Sequence, residues 1–289
     1  MLDALPDATA VLDRAGLIVA VNRAWRLFGL DNDTRPDTTG VGANYLDVCD
    51  RAAARGCEDG GTAAAGLRAV LAGETVQSDL EYPCPSPAVD RWFLLRITPL
   101  AGPARGAVAS HVNITRRKMA EQILAHEAAH DPLSGLANRT LFAARLAEAL
   151  TRRSDRLATA DVGVLYLDLD GFKAVNDGYG HDAGDEVLLT AAHRLRGQIR
   201  SGDTAARIGG DEFAICAPRV TASELAALAE RISVSLDVPY LVHGRALHVP
   251  ASIGRYLGAP GESADSATRR ADQDMYVTKR DRRGGPANT

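Results

Sequence analysis

A short acidic motif, Arg207-Ile-Gly-Gly-Asp-Glu-Phe213, constrains the fold of this chain more than any other stretch of it. Two glycines followed by two carboxylates, between apolar flanks, predict a β-hairpin that carries acid at its tip. Upstream, the hydrophobic run that begins at Val162 ends in Asp168 and Asp170. If the two strands are neighbours, Asp168 and Asp211 converge at one edge of a sheet. Converging carboxylates repel unless a divalent cation lies between them, so the arrangement predicts metal-assisted chemistry on a phosphate.

The length, composition and net charge of the chain limit the class of protein. Its 289 residues are enough for two domains, and 46% hydrophobic with 24% charged residues is a globular composition. A net charge of −4 without a basic half argues against a nucleic-acid partner, and no apolar run reaches the length of a membrane span. The N-terminus lacks a signal-peptide pattern and the four cysteines form no CxxC pair. We therefore expect a cytoplasmic protein with reduced thiols.

Strand patterns dominate the first part of the chain. The runs at 9–12 and 17–21 predict two strands around a turn, with a short helix at 24–28 after them. The runs at 92–100 and 107–113 predict a hairpin. Between Asp31 and Gly73 the pattern does not determine the structure.

Residues 114–130 lack Gly and Pro and predict a connecting helix, which Thr115 could cap. A partial seam follows one face of this segment: Met119, Ile123 and either His126 or His130. Two heptads do not distinguish a coiled coil from a single helix packed on its neighbours, so both interpretations stay open.

From Asp131 onward, helical patterns alternate with strand patterns. An amphipathic helix after residue 139 precedes a strand at 162–167, a polar loop and a helix from about Gly184 to Arg200. The acidic hairpin, a helix at 223–234, strands near 247–253 and a last helix at 267–279 follow. This order predicts a central sheet surrounded by helices, in the α+β (α/β-like) class.

Several known motifs compete for the segment that begins at Asp168. An EF-hand loop needs Gly and Glu where Lys173 and Tyr179 stand. A haloacid-dehalogenase-type phosphatase also begins with strand-DxDG but usually continues with Thr, where this chain has Phe172. No GxGxxG dinucleotide fingerprint is present nearby. An ordinary acidic turn is the plain alternative, and the second acidic motif at Asp211 weighs against it.

Five motifs in order resemble those of GGDEF-domain diguanylate cyclases and cover essentially all of 131–289. They are Asp131-Pro-Leu-Ser-Gly-Leu-Ala-Asn-Arg139, Asp168-Leu-Asp-Gly-Phe-Lys-Ala-Val-Asn176-Asp, Gly180-His-Asp-Ala-Gly-Asp185, Gly209-Gly-Asp-Glu-Phe213 and Ala271-Asp-Gln-Asp-Met-Tyr-Val-Thr-Lys279. The resemblance implies a nucleotidyl-cyclase-like sheet that condenses two GTP into cyclic di-GMP with release of two pyrophosphates.

The resemblance also implies a metal site and a proton acceptor. Asp168, the Leu169 carbonyl and Asp211 would hold Mg²⁺ or Mn²⁺, hard ions that favour oxygen ligands. Asp211 or, as the alternative, Glu212 would accept the proton of the attacking 3′-hydroxyl. Sequence does not settle which of the two carboxylates does so.

Substrate contacts are implied in the same way. Asn176 and Asp185 would read guanine, although Asp185 could equally be a helix N-cap. The further positions implied near substrate are Phe172, Lys173, His181, Gly209, Gly210, Lys279 and Arg283. The plain alternatives are a surface residue for His181 and a solvated helix end for Lys279 and Arg283. Arg282 stands where the family usually has Gly, which puts the geometry of Arg283 in question.

A regulatory pair stands just before the acidic hairpin. Arg200-Ser-Gly-Asp203 occupies the position of the family's RxxD site for inhibition by the product, cyclic di-GMP. Arg supplies two donors to guanine or phosphate, and Asp can accept from guanine. A plain surface ion pair is the alternative interpretation of Arg200 and Asp203.

The first part of the chain resembles a PAS domain, with an antiparallel sheet and flanking helices. The resemblance is carried by Leu5-Pro-Asp-Ala-Thr-Ala-Val-Leu-Asp13, Val21-Asn-Arg-Ala-Trp25 and Val108-Ala-Ser-His-Val-Asn-Ile-Thr-Arg-Arg-Lys118. No histidine precedes His111, which argues against ordinary His-ligated haem, and the cysteine motif of flavin photosensors is missing. The ligand of this domain stays unknown.

The sequence therefore predicts a sensor domain at 1–113, a signalling helix at 114–130 and a catalytic domain at 131–289. We expect a PAS-regulated diguanylate cyclase that works as a homodimer. One alternative is a catalytically silent receptor that binds cyclic di-GMP through Arg200 and Asp203, or GTP. Another is a GTP-binding regulatory domain for a phosphodiesterase that this chain does not contain.

Overall fold

The computed structural model describes residues 2–32, 39–84, 90–101, 105–154, 161–259 and 261–284. The chain divides into two compact units, Met1–Ile123 and Leu124–Thr289. Each unit has its own antiparallel sheet and its own hydrophobic core. No helix in the described ranges combines the length and the apolar character that a membrane crossing requires.

The first unit is a five-stranded antiparallel sheet with helices packed on it, as predicted. Its strand order is β2-β1-β5-β4-β3. The strands are β1 (Ala8–Leu12), β2 (Ile18–Val21), β3 (Ser78–Pro83), β4 (Trp92–Leu100) and β5 (Gly106–Asn113); the helices are α1 (Arg23–Asp31), α2 (Tyr45–Ala54) and α3 (Glu58–Ala72). Asn22 fixes the start of α1, because its side chain accepts from the backbone amide of Trp25 at 2.8 Å. The predicted strands around residues 9–21 and the predicted hairpin are confirmed.

The segment between Asp31 and Gly73, for which the sequence pattern predicted no structure, contains α2 and α3. The sequence pattern missed them because their contact uses small residues in place of large apolar ones. A Cβ at Gly60 would lie 2.8 Å from the Cβ of Ala52, so the two helices approach closely there. The buried positions of α3 include Ala63 and Ala64, which carry little hydrophobic signal.

A buried polar cluster lies inside the first unit, centred on His111. Its Nε2 lies 3.1 Å from the hydroxyl of Tyr45 and its Nδ1 lies 2.6 Å from that of Tyr82. The imidazole stacks on Phe28 at 5.0 Å and contacts Trp25 at 5.1 Å. Both ring nitrogens are therefore hydrogen-bonded within the fold of this unit.

The connecting helix, α4 (Thr115–Ala129), contains no buried residue. The prediction that Thr115 caps it is wrong, because the Thr115 hydroxyl bonds the backbone of Trp92 instead. The carboxamide of Asn113 accepts from the Thr115 amide at 3.0 Å and takes the capping role.

The second unit is built on a four-stranded antiparallel sheet with the order β11-β6-β8-β7. The strands are β6 (Asp161–Leu169), β7 (Thr204–Gly209), β8 (Glu212–Val220) and β11 (Ala251–Gly258), with a separate ladder of β9 (Tyr240–Val242) and β10 (Arg245–Leu247). The helices are α5 (Arg139–Ser154), α6 (Phe172–Tyr179), α7 (His181–Gln198), α8 (Ala222–Asp237) and α9 (Ala264–Gly284). The prediction of a sheet surrounded by helices is confirmed.

Strand β6 is buried on both faces. Leu165 and Leu167 belong to the core under α7 and α8, whereas Val164 and Tyr166 belong to the core under α5 and α9. Burial on both faces explains why this strand reads as a continuous apolar run.

Two predictions about the segment after β6 are wrong. The expected polar loop is the helix α6, in which Phe172 and Val175 turn to the core. The next helix begins at His181, three residues earlier than predicted, after Gly180 with φ 88°. Glycine-rich sequence concealed α6 and the first turn of α7, because these turns carry few strong helix formers.

Candidate active site

The centre of the candidate site is an acidic edge of the sheet, formed by the neighbouring strands β6 and β8. Asp168 is the register partner of Glu212, and the Leu169 amide donates to the Asp211 carbonyl at 3.3 Å. The predicted approach of the two acidic segments is therefore present in the fold. Asp168, Asp211 and Glu212 interact electrostatically with one another.

The electrostatics of this edge favour added positive charge. Burial raises the pKa of Asp211, and the nearby charge of Asp168 raises it further. Burial also raises the pKa of Glu212, with Asp272, Asp168 and Asp211 adding to the rise. The carboxylates thus repel one another in a half-buried setting.

Lys279 on α9 brings a positive charge to this edge. Its ammonium group forms an ion pair with Asp168 and lies 3.8 Å from Oδ1 of Asp170. The Lys279 side chain is only 18% exposed, so the solvated-helix-end interpretation is wrong for this residue. Arg283 lies in the last turn of α9, and its side chain falls outside the described part of the chain.

The position of α9 depends on a glycine in β11. A Cβ at Gly254 would lie 2.1 Å from the carbonyl oxygen of Ala271 and 2.2 Å from the amide nitrogen of Met275. The helix therefore packs directly on the backbone of the strand. This close approach brings Lys279 within reach of Asp168.

Sequence reasoning missed three groups at the edge. The Tyr166 hydroxyl donates to Oε2 of Glu212 at 3.2 Å, and the buried Ser252 hydroxyl donates to Asp170 at 2.8 Å. Asp272 of α9 is the third, through its charge beside Glu212. Tyr166 lies two residues before Asp168, on the same face of β6, and that period-2 spacing was the available signal.

Arg207 connects the turn of the acidic hairpin to Asp131. This guanidinium donates to the Gly210 carbonyl at 2.9 Å and to Asp131 at 3.1 and 3.2 Å. Burial opposes ionisation of Asp131, but hydrogen bonds from Ser134 and Arg207 outweigh it and lower the pKa of this carboxyl. Gly210 turns the chain with φ 51°, a conformation that favours glycine, and Gly209 leaves open space where a Cβ would stand.

The candidate guanine readers lie on the adjoining helices α6 and α7. A Cβ at Gly184 would lie 2.0 Å from Oδ1 of Asn176, so the missing side chain lets Asn176 approach α7. Asp185 is exposed and lies inside α7, so its interpretation as an N-cap is wrong. His181 and Lys173 are exposed, whereas the Phe172 ring packs in the core.

The candidate inhibitory pair is asymmetric. The Arg200 side chain is 54% exposed, whereas that of Asp203 is only 4% exposed. Asp203 accepts from the Arg200 backbone amide and from its Nε, both at 3.1 Å. Asp203 therefore shapes the turn, whereas the guanidinium of the half-exposed Arg200 also donates through Nη2 to the carbonyl oxygens of Pro218 and Arg219 at 2.7 and 3.1 Å.

The residues at the edge fit a hard divalent cation by their chemistry. The implied ligands, Asp168, the Leu169 carbonyl and Asp211, are all oxygen donors, which Mg²⁺ and Mn²⁺ prefer. The raised pKa of Asp211 shows that its charge is not fully compensated. Among the residues that the structure describes, no three His, Cys, Asp or Glu side chains already surround a single metal position.

Fold and site together define a two-unit protein whose second unit presents an acidic edge of oxygen ligands. That second unit matches the family described as "Diguanylate cyclase, GGDEF domain" over residues 128–285, and the first matches the PAS fold over residues 2–119. The chain therefore belongs to the GGDEF family, with a PAS domain preceding the GGDEF domain.

Individual relatives agree with this assignment. The diguanylate cyclase TpbB of Pseudomonas aeruginosa is 40% identical over 166 residues, which are 56% of this chain and 37% of that protein. The coiled coil and GGDEF domain of DgcB from Caulobacter crescentus, solved in complex with c-di-GMP, is 30% identical with a TM-score of 0.54. This match covers 58% of this chain and 89% of that one. Diguanylate cyclase SiaD of P. aeruginosa, solved with its activator SiaC, is 32% identical with a TM-score of 0.51, covering 57% and 64%.

Proposed function

We propose that this protein is a metal-dependent diguanylate cyclase, a nucleotidyltransferase that condenses two GTP into cyclic di-GMP and releases two pyrophosphates. The observation that carries the proposal is the convergence of Asp168, Asp211 and Glu212 at one sheet edge. Half-buried carboxylates that repel one another favour a divalent cation and, through it, the triphosphate of a nucleotide.

Asp168, the Leu169 carbonyl and Asp211 would hold Mg²⁺ or Mn²⁺. When bound, the ion supplies Lewis-acid stabilisation of the charge on the phosphate oxygens. Lys279 lies beside the same carboxylates and adds a second positive charge for the triphosphate. Gly209 and Gly210 keep the hairpin tip free of side chains, so its backbone can approach phosphate.

Asp211 accepts the proton of the attacking 3′-hydroxyl in this proposal. Glu212 is the alternative acceptor. The Tyr166 hydroxyl already occupies one oxygen of Glu212, which favours Asp211 for this role.

Guanine is read by Asn176 and Asp185 on the two adjoining helices. A carboxylate can accept from both N1–H and the exocyclic amine of guanine, a pair of donors that adenine does not offer. Gly184 permits the close approach of Asn176 that such a reader pair requires.

A homodimer is the expected active form. Each catalytic unit holds one GTP, and a cyclic product needs two nucleotides brought face to face. The helix α4 would align the two copies, and the PAS domain would set that alignment in response to its signal.

Turnover of GTP tests the proposal. The purified dimer with GTP and Mg²⁺ is expected to release cyclic di-GMP and pyrophosphate, detected by chromatography with mass spectrometry. Asp211→Ala should abolish product, whereas Ala at the exposed Asp265 in the first turn of α9 should not. A folded dimer that makes no product would overturn the assignment.

Product inhibition through Arg200 is the second part of the proposal. Its exposed guanidinium can donate to guanine or phosphate of cyclic di-GMP. Arg200→Ala should weaken cyclic di-GMP binding in calorimetry and raise the product concentration needed for inhibition. Tight binding by the wild type without turnover would favour a silent receptor instead.

A further inference from the structure

Two stacked histidines lie at the end of α4. The rings of His126 and His130 have centroids 3.9 Å apart and an interplanar angle of 17°. The residues are one helical turn apart, and the His130 amide continues the helical hydrogen bonding to the His126 carbonyl at 2.9 Å. Two histidines at this i, i+4 spacing can bind one zinc ion from a helix, once the rings turn out of the stack so that both lone pairs point at the ion.

The tautomer of His130 suits a metal ligand. Its Nδ1 lies 2.9 Å from the carbonyl oxygen of His126. A carbonyl oxygen only accepts, so Nδ1 must carry the hydrogen, and Nε2 of the neutral ring carries the lone pair. Histidines that bind metals usually donate their other ring N–H to such a carbonyl or to a carboxylate.

The two histidines continue an exposed apolar stripe of α4. Met119 is 45% exposed and Ile123 is 57% exposed, and the steps from 119 to 123, 126 and 130 are four, three and four residues. That alternation is the a/d spacing of a coiled coil. In a parallel pair of chains, residues at a and d positions face their counterparts, so two copies would bring four imidazoles into adjacent layers.

We propose that two copies of this protein bind one zinc ion between the imidazoles of their His126 and His130 residues. Four nitrogen ligands match the tetrahedral coordination that zinc adopts, and this inference rests on the homodimer of the proposed function. Imidazole suits zinc far better than Mg²⁺, so this site and the all-oxygen catalytic site select different ions.

The location of the pair gives the ion a regulatory position. His130 pairs with Ala137 in an isolated bridge, and the Asn138 side chain donates to the Ala128 carbonyl at 2.7 Å. The end of α4 is therefore tied to the turn that also contains Asp131. A zinc ion there fixes the spacing of the two chains where they enter their catalytic units.

Zinc chloride alone, added to untagged full-length protein, provides the test. Calorimetry is expected to give one zinc ion per two chains, and Co²⁺ in its place should show the visible absorption of a tetrahedral site. If zinc binds only the dimer, the apparent dimer dissociation constant, measured by sedimentation, should fall roughly 100-fold at a zinc concentration 100-fold above its Kd.

Matched variants separate this site from other ligands. His126→Gln and His130→Gln should each remove the zinc-dependent change in dimer affinity, whereas His193→Gln, on an exposed position of α7, should leave it intact. Binding of one ion per chain, or binding that survives His130→Gln, would overturn the proposal. GTP turnover with Mg²⁺ and no zinc is measured in parallel, so a failure of the cyclase assignment is seen separately.

Discussion

Two polar clusters, one in each unit, differ in whether their polar groups satisfy one another. In the PAS domain, His111 and its partners Tyr45 and Tyr82 satisfy one another, since each ring nitrogen meets a hydroxyl. Burial lowers the pKa of His111 to about 4 and raises that of Tyr45, so the cluster is neutral. A neutral, fully bonded cluster belongs to the stability of its unit.

The acidic edge of the GGDEF domain is the contrasting case. Asp168, Asp211 and Glu212 carry like charges in a half-buried setting, and the positive charges of Lys279 and Arg207 offset them only in part. The repulsion lowers the free energy of unfolding, and such arrangements are typical of ligand-binding and catalytic sites. Both clusters are at least partly buried, but only the acidic edge has negative charge that its neighbours do not fully neutralise. The comparison teaches that such unneutralised charge, more than burial itself, marks the site where ligands bind.

The largest expected effect separates activity from stability at the acidic edge. Asp211→Asn should lower GTP turnover at least about 10³-fold, because it removes an implied metal ligand and the proton acceptor. The free energy of unfolding should stay the same or rise, because one repelling charge is gone. Turnover assays and urea unfolding measure the two quantities, with Asp265→Asn as the control. A marked loss of stability would contradict the contrast.

Acid should weaken the PAS domain. His111 has a folded pKa of about 4 against an ordinary value of 6.5, so between these values the unfolded chain binds more protons. The free energy of unfolding therefore falls as the pH drops from 6.5 towards 4, by on the order of 3 kcal/mol. Hydrogen exchange of peptides from β1 and β5, corrected for intrinsic rates, measures this change.

The acidic edge should respond to pH with the opposite sign. Asp211 and Glu212 have raised pKa values, so above their ordinary values of 3.8 and 4.5 the folded state binds more protons than the unfolded chain. Their contribution to stability therefore grows as the pH falls. The stability advantage of Asp211→Asn over wild type should shrink in acid, and an advantage that widens would refute the assignment of signs.

A substitution at His111 removes the cluster without changing its aromatic packing greatly. His111→Phe leaves the hydroxyls of Tyr45 and Tyr82 without their partner, which should cost about 2 kcal/mol. The acid sensitivity of the PAS peptides should disappear in the same variant. Hydrogen exchange at pH 7 and pH 4.5 checks both results, and acid sensitivity that persists would show that another group is responsible.

The smallest expected effect concerns the hydroxyl beside Glu212. Tyr166→Phe keeps the buried ring and removes one hydrogen bond of 3.2 Å, worth about 1 kcal/mol. We expect kcat to fall a few-fold with KM nearly unchanged, since the Tyr166 hydroxyl bonds Glu212, which is not one of the proposed guanine readers. Steady-state kinetics measure both, and Tyr256→Phe, which removes the Glu262-bonded hydroxyl of a half-buried tyrosine on β11, is the control. A change in KM alone would place Tyr166 in substrate binding.

Much of the fold and the acidic edge was predictable from local pattern. The apolar run before Asp168 and the glycine pair before Asp211 are local signals, and they predicted two strands with acid at their ends. The closeness of Lys279 to Asp168 joins residues 111 positions apart, and no local pattern encodes it. The link between Tyr166 and Glu212 depends on the register of β6 against β8, which sequence leaves open.

The wrong predictions also have local causes. Asp185 was a candidate N-cap by residue type, yet Gly184 before it already lies inside α7 and makes room for Asn176. Thr115 was a candidate cap by residue type, but its hydroxyl accepts a hydrogen bond from the backbone amide of Trp92. In both cases a tertiary contact determined the role of the residue, which a single sequence does not display.

The glycine at position 254 has a consequence beyond packing. Because α9 lies against the bare backbone of β11 there, the separation between the ammonium of Lys279 and the acidic edge is set by the absence of a single methyl group. Any side chain at this position would act as a spacer that lifts the helix and carries its positive charge outward. The smallest residue in the strand thus sets the distance between a positive charge and the carboxylates of a site that it does not touch.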